Sequence, residues 1–175
     1  MRTAWLALGL VACAMSARAA GIAVLAPVTI DADTQLRAAI RDKCQLDTHL
    51  QDDIVDGLKR FDPAATTTTR ADSGMVLRVV ITGAYGLAGG GFSGAKSLAV
   101  TAEYLRDGQV AYTAKVHRLS GRSAFRDTCS LLQVTSKGMG RWISKWAQNP
   151  KDVIEPGSDR AAPTPVEPAA SDAED

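Results

Sequence analysis

Three stretches of this chain alternate apolar and polar residues with a period of two, and they constrain its fold more than any other feature. Leu77, Val79 and Ile81 alternate with Arg78, Val80 and Thr82. Leu98, Val100, Ala102 and Tyr104 alternate with Ala99, Thr101 and Glu103. Val110, Tyr112, Ala114 and Val116 alternate with Thr113, Lys115 and His117. That period predicts strands with one buried and one wetter face. Asp107-Gly108 between the second and third is a tight-hairpin signal, because both residues tolerate positive φ. A longer glycine-rich segment, 86–94, joins the first two. The expected result is an antiparallel β-meander.

Helical periodicity flanks these strands. Leu36, Ala39 and Ile40 predict a helix over 34–43, with Asp33 as its N-cap. Leu50, Ile54, Leu58 and Phe61 form one stripe of a second helix over 49–61. Thr48 and Gln51 have capping-box spacing there, and Asp62-Pro63 stops the helix. Leu132, Met139, Ile143 and Trp146 share a face of a third helix over 128–148. Asp127, or Ser130 with Gln133, would cap it, and Asn149-Pro150 ends it. Gly138 and Gly140 each cost roughly 1 kcal/mol against alanine in a helix interior, which points to a close approach to the sheet. Ahead of the helices, 22–30 reads as a buried strand in which Pro27 marks an edge or a bulge. The segment 66–69 is an edge strand or a loop. The expected architecture is α+β, an antiparallel meander packed on one face by helices in two layers.

The N-terminus has a different character. Met1-Arg2 precedes an apolar run that ends in Ser16-Ala17-Arg18-Ala19. A short basic region, an apolar core and a small-x-small ending describe a secretory signal over residues 1–19. The run is too short to span a bilayer, and no second one of membrane length follows. Leu10-Val11-Ala12-Cys13 also fits a lipobox, which would make Cys13 a lipidated residue and the chain an outer-membrane lipoprotein. The soluble periplasmic reading is favoured, because cleavage at Cys13 leaves a signal of only 12 residues. Either reading leaves Cys44 and Cys129 as an even pair for an oxidising compartment. A bridge is favoured over two free thiols. A metal pair is poor, because no histidine cluster accompanies the two cysteines. The domain is expected over 20–150, with a disordered tail rich in Pro, Ala and acidic residues over 151–175.

A net charge of +1 removes the basic footprint that nucleic-acid binding needs, and 5% aromatics leave few stacking platforms. Gly89, Gly90, Gly91, Phe92, Ser93, Gly94 and Lys96 tempt a phosphate-loop reading, but Ala95 breaks the required Gly-Lys step and the loop joins two strands. The segment is read as a possible partner-binding hairpin. Ser93 lacks the closing glycine of a nucleophile elbow. Ser93 with Lys96 as a dyad is the runner-up, in a small hydrolase or ligand-binding protein. Neither His49 nor His117 is placed to serve as a base, and no cofactor or metal site is expected. Lys115, His117, Arg118, Arg122 and Arg126, followed by Lys137, Arg141 and Lys145, form a basic cluster suited to an anionic surface. Trp146 is expected in the core, and Trp142 in the core or in a contact.

Gly-Gly-Gly-Phe-Ser-Gly-Ala-Lys-Ser-Leu (89–98), Asp-Thr-Cys-Ser-Leu-Leu (127–132) and Gly-Met-Gly-Arg-Trp-Ile-Ser-Lys-Trp (138–146), with Cys-Gln-Leu at Cys44, carry a resemblance. The chain resembles an uncharacterised family of small secreted proteobacterial proteins that hold a domain of unknown function. The resemblance implies an exported α+β domain with Cys44 and Cys129 paired, and it brings no activity. The chain departs from the pattern at Trp142, where an acidic residue is usual. The expected function is that of a non-enzymatic accessory or interaction protein of the cell envelope, with an envelope protein or an anionic surface as partner.

Overall fold

The computed structural model describes residues 21–34, 38–85, 96–120 and 127–156. Its centre is the expected meander. β4 (Met75–Tyr85), β5 (Ser97–Arg106) and β6 (Gln109–Leu119) are antiparallel neighbours. Asp107 and Gly108 turn the chain with φ of 48° and 80°, the two positive values a primed hairpin turn requires. The Asp107 carboxylate accepts the Gly74 N–H at 3.0 Å, which ties this turn to the start of β4.

The sheet is mixed, and this corrects the expectation of a purely antiparallel one. β1 (Ala23–Leu25) lies between β3 (Thr66–Thr68) and β4 and is parallel to both. β2 (Thr29–Ile30) is also parallel to β4, and β7 (Val153–Ile154) is parallel to β6. Among the described residues the sheet has seven strands, ordered β3-β1-β4-β5-β6-β7 with β2 beside β4. Alternation reports that a strand exists and which face it buries. Direction is set by the connection, and a helical crossover returns the chain in the same sense. Pro27 divides the predicted strand 22–30 into β1 and β2, and both halves pair with β4 inside the sheet. The segment 66–69, open between strand and loop in sequence, supplies the edge strand β3.

The helices are α1 (Ala38–Cys44), α2 (Leu46–Lys59) and α3 (Thr128–Trp146). Leu50, Ile54, Leu58, Leu132, Met139, Ile143 and Trp146 share one core with Leu77, Val79, Ile81, Leu98, Val100 and Val116 of the sheet. The two-layer arrangement is therefore as expected. α2 begins earlier than its sequence suggests. Gln45, in a left-handed conformation with φ 45°, precedes it, and no side chain caps it, so Thr48 lies inside the helix. Phe61 falls beyond the helix end and is 55% exposed, so the predicted stripe ends at Leu58. Asp127 caps α3, accepting the Ser130 N–H at 2.9 Å and the Ser130 hydroxyl at 2.7 Å. These bonds favour the ionised carboxylate and hold it below its ordinary range. Residues 152–155, grouped with the tail on composition, belong to the sheet through β7 and its flanking contacts.

Candidate functional site

Cys44 and Cys129 are joined, with Cα atoms 4.9 Å apart and a sequence separation of 85. Cys44 is buried where α1 hands over to α2, and Cys129 sits in the first turn of α3. The bridge pins the helix layer at one end.

From there α2 and α3 run side by side in the same direction. His49 meets Gln133, their ring and amide nitrogens 3.0 Å apart. Ser136 donates to the Asp53 carboxylate at 2.9 Å, and Ser144 donates to the Ile54 carbonyl at 2.9 Å. Glycines set the spacing. A Cβ on Gly140 would lie 2.7 Å from the Asp53 Cβ, and one on Gly57 would lie 2.8 Å from the Ser144 Cβ. Gly140 thus serves the contact between helices, where the sequence suggested an approach to the sheet. Gly138 has no neighbour within 4 Å of an added Cβ.

An open groove above this seam is lined by His49, Asp53, Ser130, Gln133, Val134 and Lys137. Ser136 is fully buried and donates a hydrogen bond to Asp53, while His49 is engaged by Gln133. Burial pushes the Asp53 carboxyl up, opposed in part by the Ser136 bond and by Lys137 and His49. A carboxyl raised in the folded state lends stability at acid pH, and that contribution is lost as pH rises through its folded value. Asp53→Asn keeps an acceptor for Ser136 and removes the titration. Its melting temperature relative to wild type is therefore expected to rise from pH 4 to pH 7. A difference that stays constant with pH would refute this assignment.

A second cluster braces the opposite edge. The Arg118 guanidinium lies 5.5 Å from the Trp142 ring centroid and pairs with Glu155 at 2.6 Å. Trp142 stacks on the buried Trp146, whose indole N–H donates to the Lys151 carbonyl at 2.8 Å. Asp152 accepts the Thr113 N–H at 2.8 Å, Glu155 accepts the His117 N–H, and the Glu155 N–H donates to the Lys115 carbonyl at 3.0 Å. The free edge of β6 is thereby closed by the chain's own C-terminal strand.

The predicted basic cluster does not form one patch. Lys137, Arg141 and Lys145 make an exposed ridge on α3. Lys115 and His117 lie on the opposite side of the molecule, on the sheet face turned away from the helices. Arg118 points into the brace, and Arg122 and Arg126 lie outside the described residues. Gly89, Gly90, Gly91, Phe92, Ser93 and Gly94 also lie outside them, as do Cys13 and the rest of the predicted signal. Lys96, at the end of that glycine-rich segment, is buried, and burial pushes its ammonium down from its ordinary value. Its backbone N–H donates to the Ser120 hydroxyl at 2.8 Å and its carbonyl accepts the Ser120 N–H at 2.7 Å.

The outer sheet face is the wetter face that the alternation predicts. Among the described residues no helix packs on it. Arg78 and Glu103 pair at its centre, near Thr101, Thr113 and Lys115. Apolar residues occupy its margins. Val76, Ala99 and Leu105 are buried, whereas Val110, Leu119 and Ile154 are 46%, 66% and 70% exposed. The alternation pattern contained this face, but its apolar members are dispersed along the chain and converge only through the register.

No protein-family model matches the chain, and no curated protein matches it in sequence. Similar solved structures include the PelC dodecamer of Paraburkholderia phytofirmans, at 15% identity and a TM-score of 0.48, covering 71% of this chain and 89% of that one. A DUF330 protein of Xanthomonas campestris matches at 13% identity and a TM-score of 0.42, over 72% and 82%. A minor lipoprotein of Acinetobacter baumannii matches at 17% identity and a TM-score of 0.39, over 75% and 99%. These distant likenesses assign this chain no activity, site or assembly. Among the described residues, no helix is long and apolar enough to cross a membrane.

Proposed function

We propose that this chain is an exported, non-enzymatic accessory module of the cell envelope, and that it meets a protein partner through the outer sheet face. That face is the observation that carries the reading. No helix covers it among the described residues, and it leaves Val110, Leu119 and Ile154 exposed, so a partner docked there would remove apolar side chains from water. The Cys44–Cys129 bridge supports an oxidising compartment, as does the signal-like N-terminus.

Photo-crosslinking in intact cells tests it. A photoreactive residue at Thr113 or Ile154 is expected to trap one discrete protein other than the chain itself, and the same residue at exposed Arg60 is expected not to trap that protein. Shortening 89–94 in the Ile154 version asks whether the glycine-rich segment shares the contact. Equal labelling from Arg60 and Ile154 would overturn the reading. Intact mass of the mature chain separates a soluble form beginning near Ala20 from one acylated at Cys13.

A further inference from the structure

The solvent side of the helix layer carries two charged ridges. α2 presents exposed Asp52 and Asp56, and α3 presents exposed Lys137 and Arg141. Val134, 52% exposed, continues the α3 ridge toward its start. The helices are held in a fixed register, with Asp53 against Ser136 and Gly140, and Gly57 against Ser144. On that register Asp52 stands level with Lys137, and Asp56 with Arg141. Gly138 is exposed on the same side of α3, in a helix interior where alanine would be favoured. A Cβ there would meet nothing within 4 Å, so packing within the chain does not account for the glycine. A second backbone packed closely against it would give the glycine a role.

We propose that this face is a self-docking surface, on which two copies of the chain associate through α2 and α3. The two-fold axis runs parallel to the helices, between the copies. It lays each α2 over the other copy's α3, so that Asp52 meets Lys137 and Asp56 meets Arg141, twice over. The charge pattern selects this arrangement. A two-fold axis across the helices would set acid against acid and base against base. An anionic lipid surface would attract the α3 ridge and be repelled by the α2 ridge. Isologous pairing satisfies both ridges at once. Lys145 falls opposite the end of the facing α2, beside Lys59 and Arg60, so the attraction is confined to the first two pairs. The inference stands apart from the sheet-face reading, since the two surfaces are on opposite sides of the sheet.

Sedimentation of the full, bridged chain tests it. Wild type is expected to form a dimer at low salt, with a dissociation constant that rises about tenfold or more in high salt as the pairs are screened. Lys137→Glu with Arg141→Glu makes both ridges acidic, and Asp52→Lys with Asp56→Lys makes both basic. Each double variant alone is expected to be monomeric, and an equimolar mixture is expected to form a heterodimer. Gly138→Ala is expected to raise the melting temperature of the monomer while weakening the dimer. All these positions are exposed, and circular dichroism melts confirm that each variant is folded. A wild type that stays monomeric at low salt overturns the proposal, as does a dimer that both charge reversals leave intact.

Discussion

Replacing Cys44 and Cys129 together by alanine is expected to cost about 4–5 kcal/mol of stability. The bridge closes a loop with a sequence separation of 85 residues. The chain-entropy account assigns about that value to a closed loop of this length. For a domain whose total stability is of order 5–15 kcal/mol, this is a large share. Because it ties the α1–α2 junction to the first turn of α3, the bridge restrains three helices against one another. Denaturant melts of the double variant should show a lower midpoint and a steeper slope, because the unbridged denatured chain exposes more surface. Reductant should shift wild type in the same direction and leave the variant unmoved. A loss below about 1 kcal/mol would mean that the helix layer is held by its packing alone.

The second large effect is expected at Gly140. Any side chain there must clear the Asp53 backbone, whose carbonyl carbon lies 2.8 Å and oxygen 3.0 Å from the position of an added Cβ. A flexible side chain can swing aside, but a helix backbone moves only with its helix. Gly140→Val is therefore expected to lose about 3 kcal/mol through overpacking, with β-branching adding nothing favourable. Gly140→Ala gains helix propensity of about 1 kcal/mol and meets the same backbone, so its loss should be smaller. Gly57→Ala offers a comparison, since its obstruction is the Ser144 side chain. Pairing it with Ser144→Ala removes the hydroxyl 2.3 Å from the added Cβ and should recover part of the loss. Thermal melts of this set separate obstruction by backbone from obstruction by side chain.

The parts of the fold that were legible in sequence are those written by local periodicity. The meander, the Asp107-Gly108 turn and the α3 core face of Leu132, Met139, Ile143 and Trp146 all follow from spacing along the chain. Strand direction did not follow, because β1 and β2 alternate no differently for running parallel to β4. The start of α2 was misread because Thr48 and Gln51 have the right spacing for a cap, while Gln45 ends the turn after Cys44 in a left-handed conformation that its side chain does not announce. Charge was the least legible feature. Lys115, His117 and Arg118 are near neighbours in sequence, yet alternation sends two to the outer sheet face and one to Trp142 and Glu155. The candidate interface was hidden for the same reason. Val110, Leu119 and Ile154 come from β6 and β7, and only the strand pairing places all three on one face of the sheet.

The closing strand also has a meaning in time. Asp152, Val153, Ile154 and Glu155 seal the β6 edge, and a ribosome makes them after every strand they seal. Through that interval, Thr113 and His117 present N–H groups that any extended chain could accept, the geometry from which aggregates grow. A message cut short after α3 would leave that interval permanent. The pairing itself involves only two residues, so its loss is expected to lower the yield of soluble chains more than the melting temperature of the finished fold.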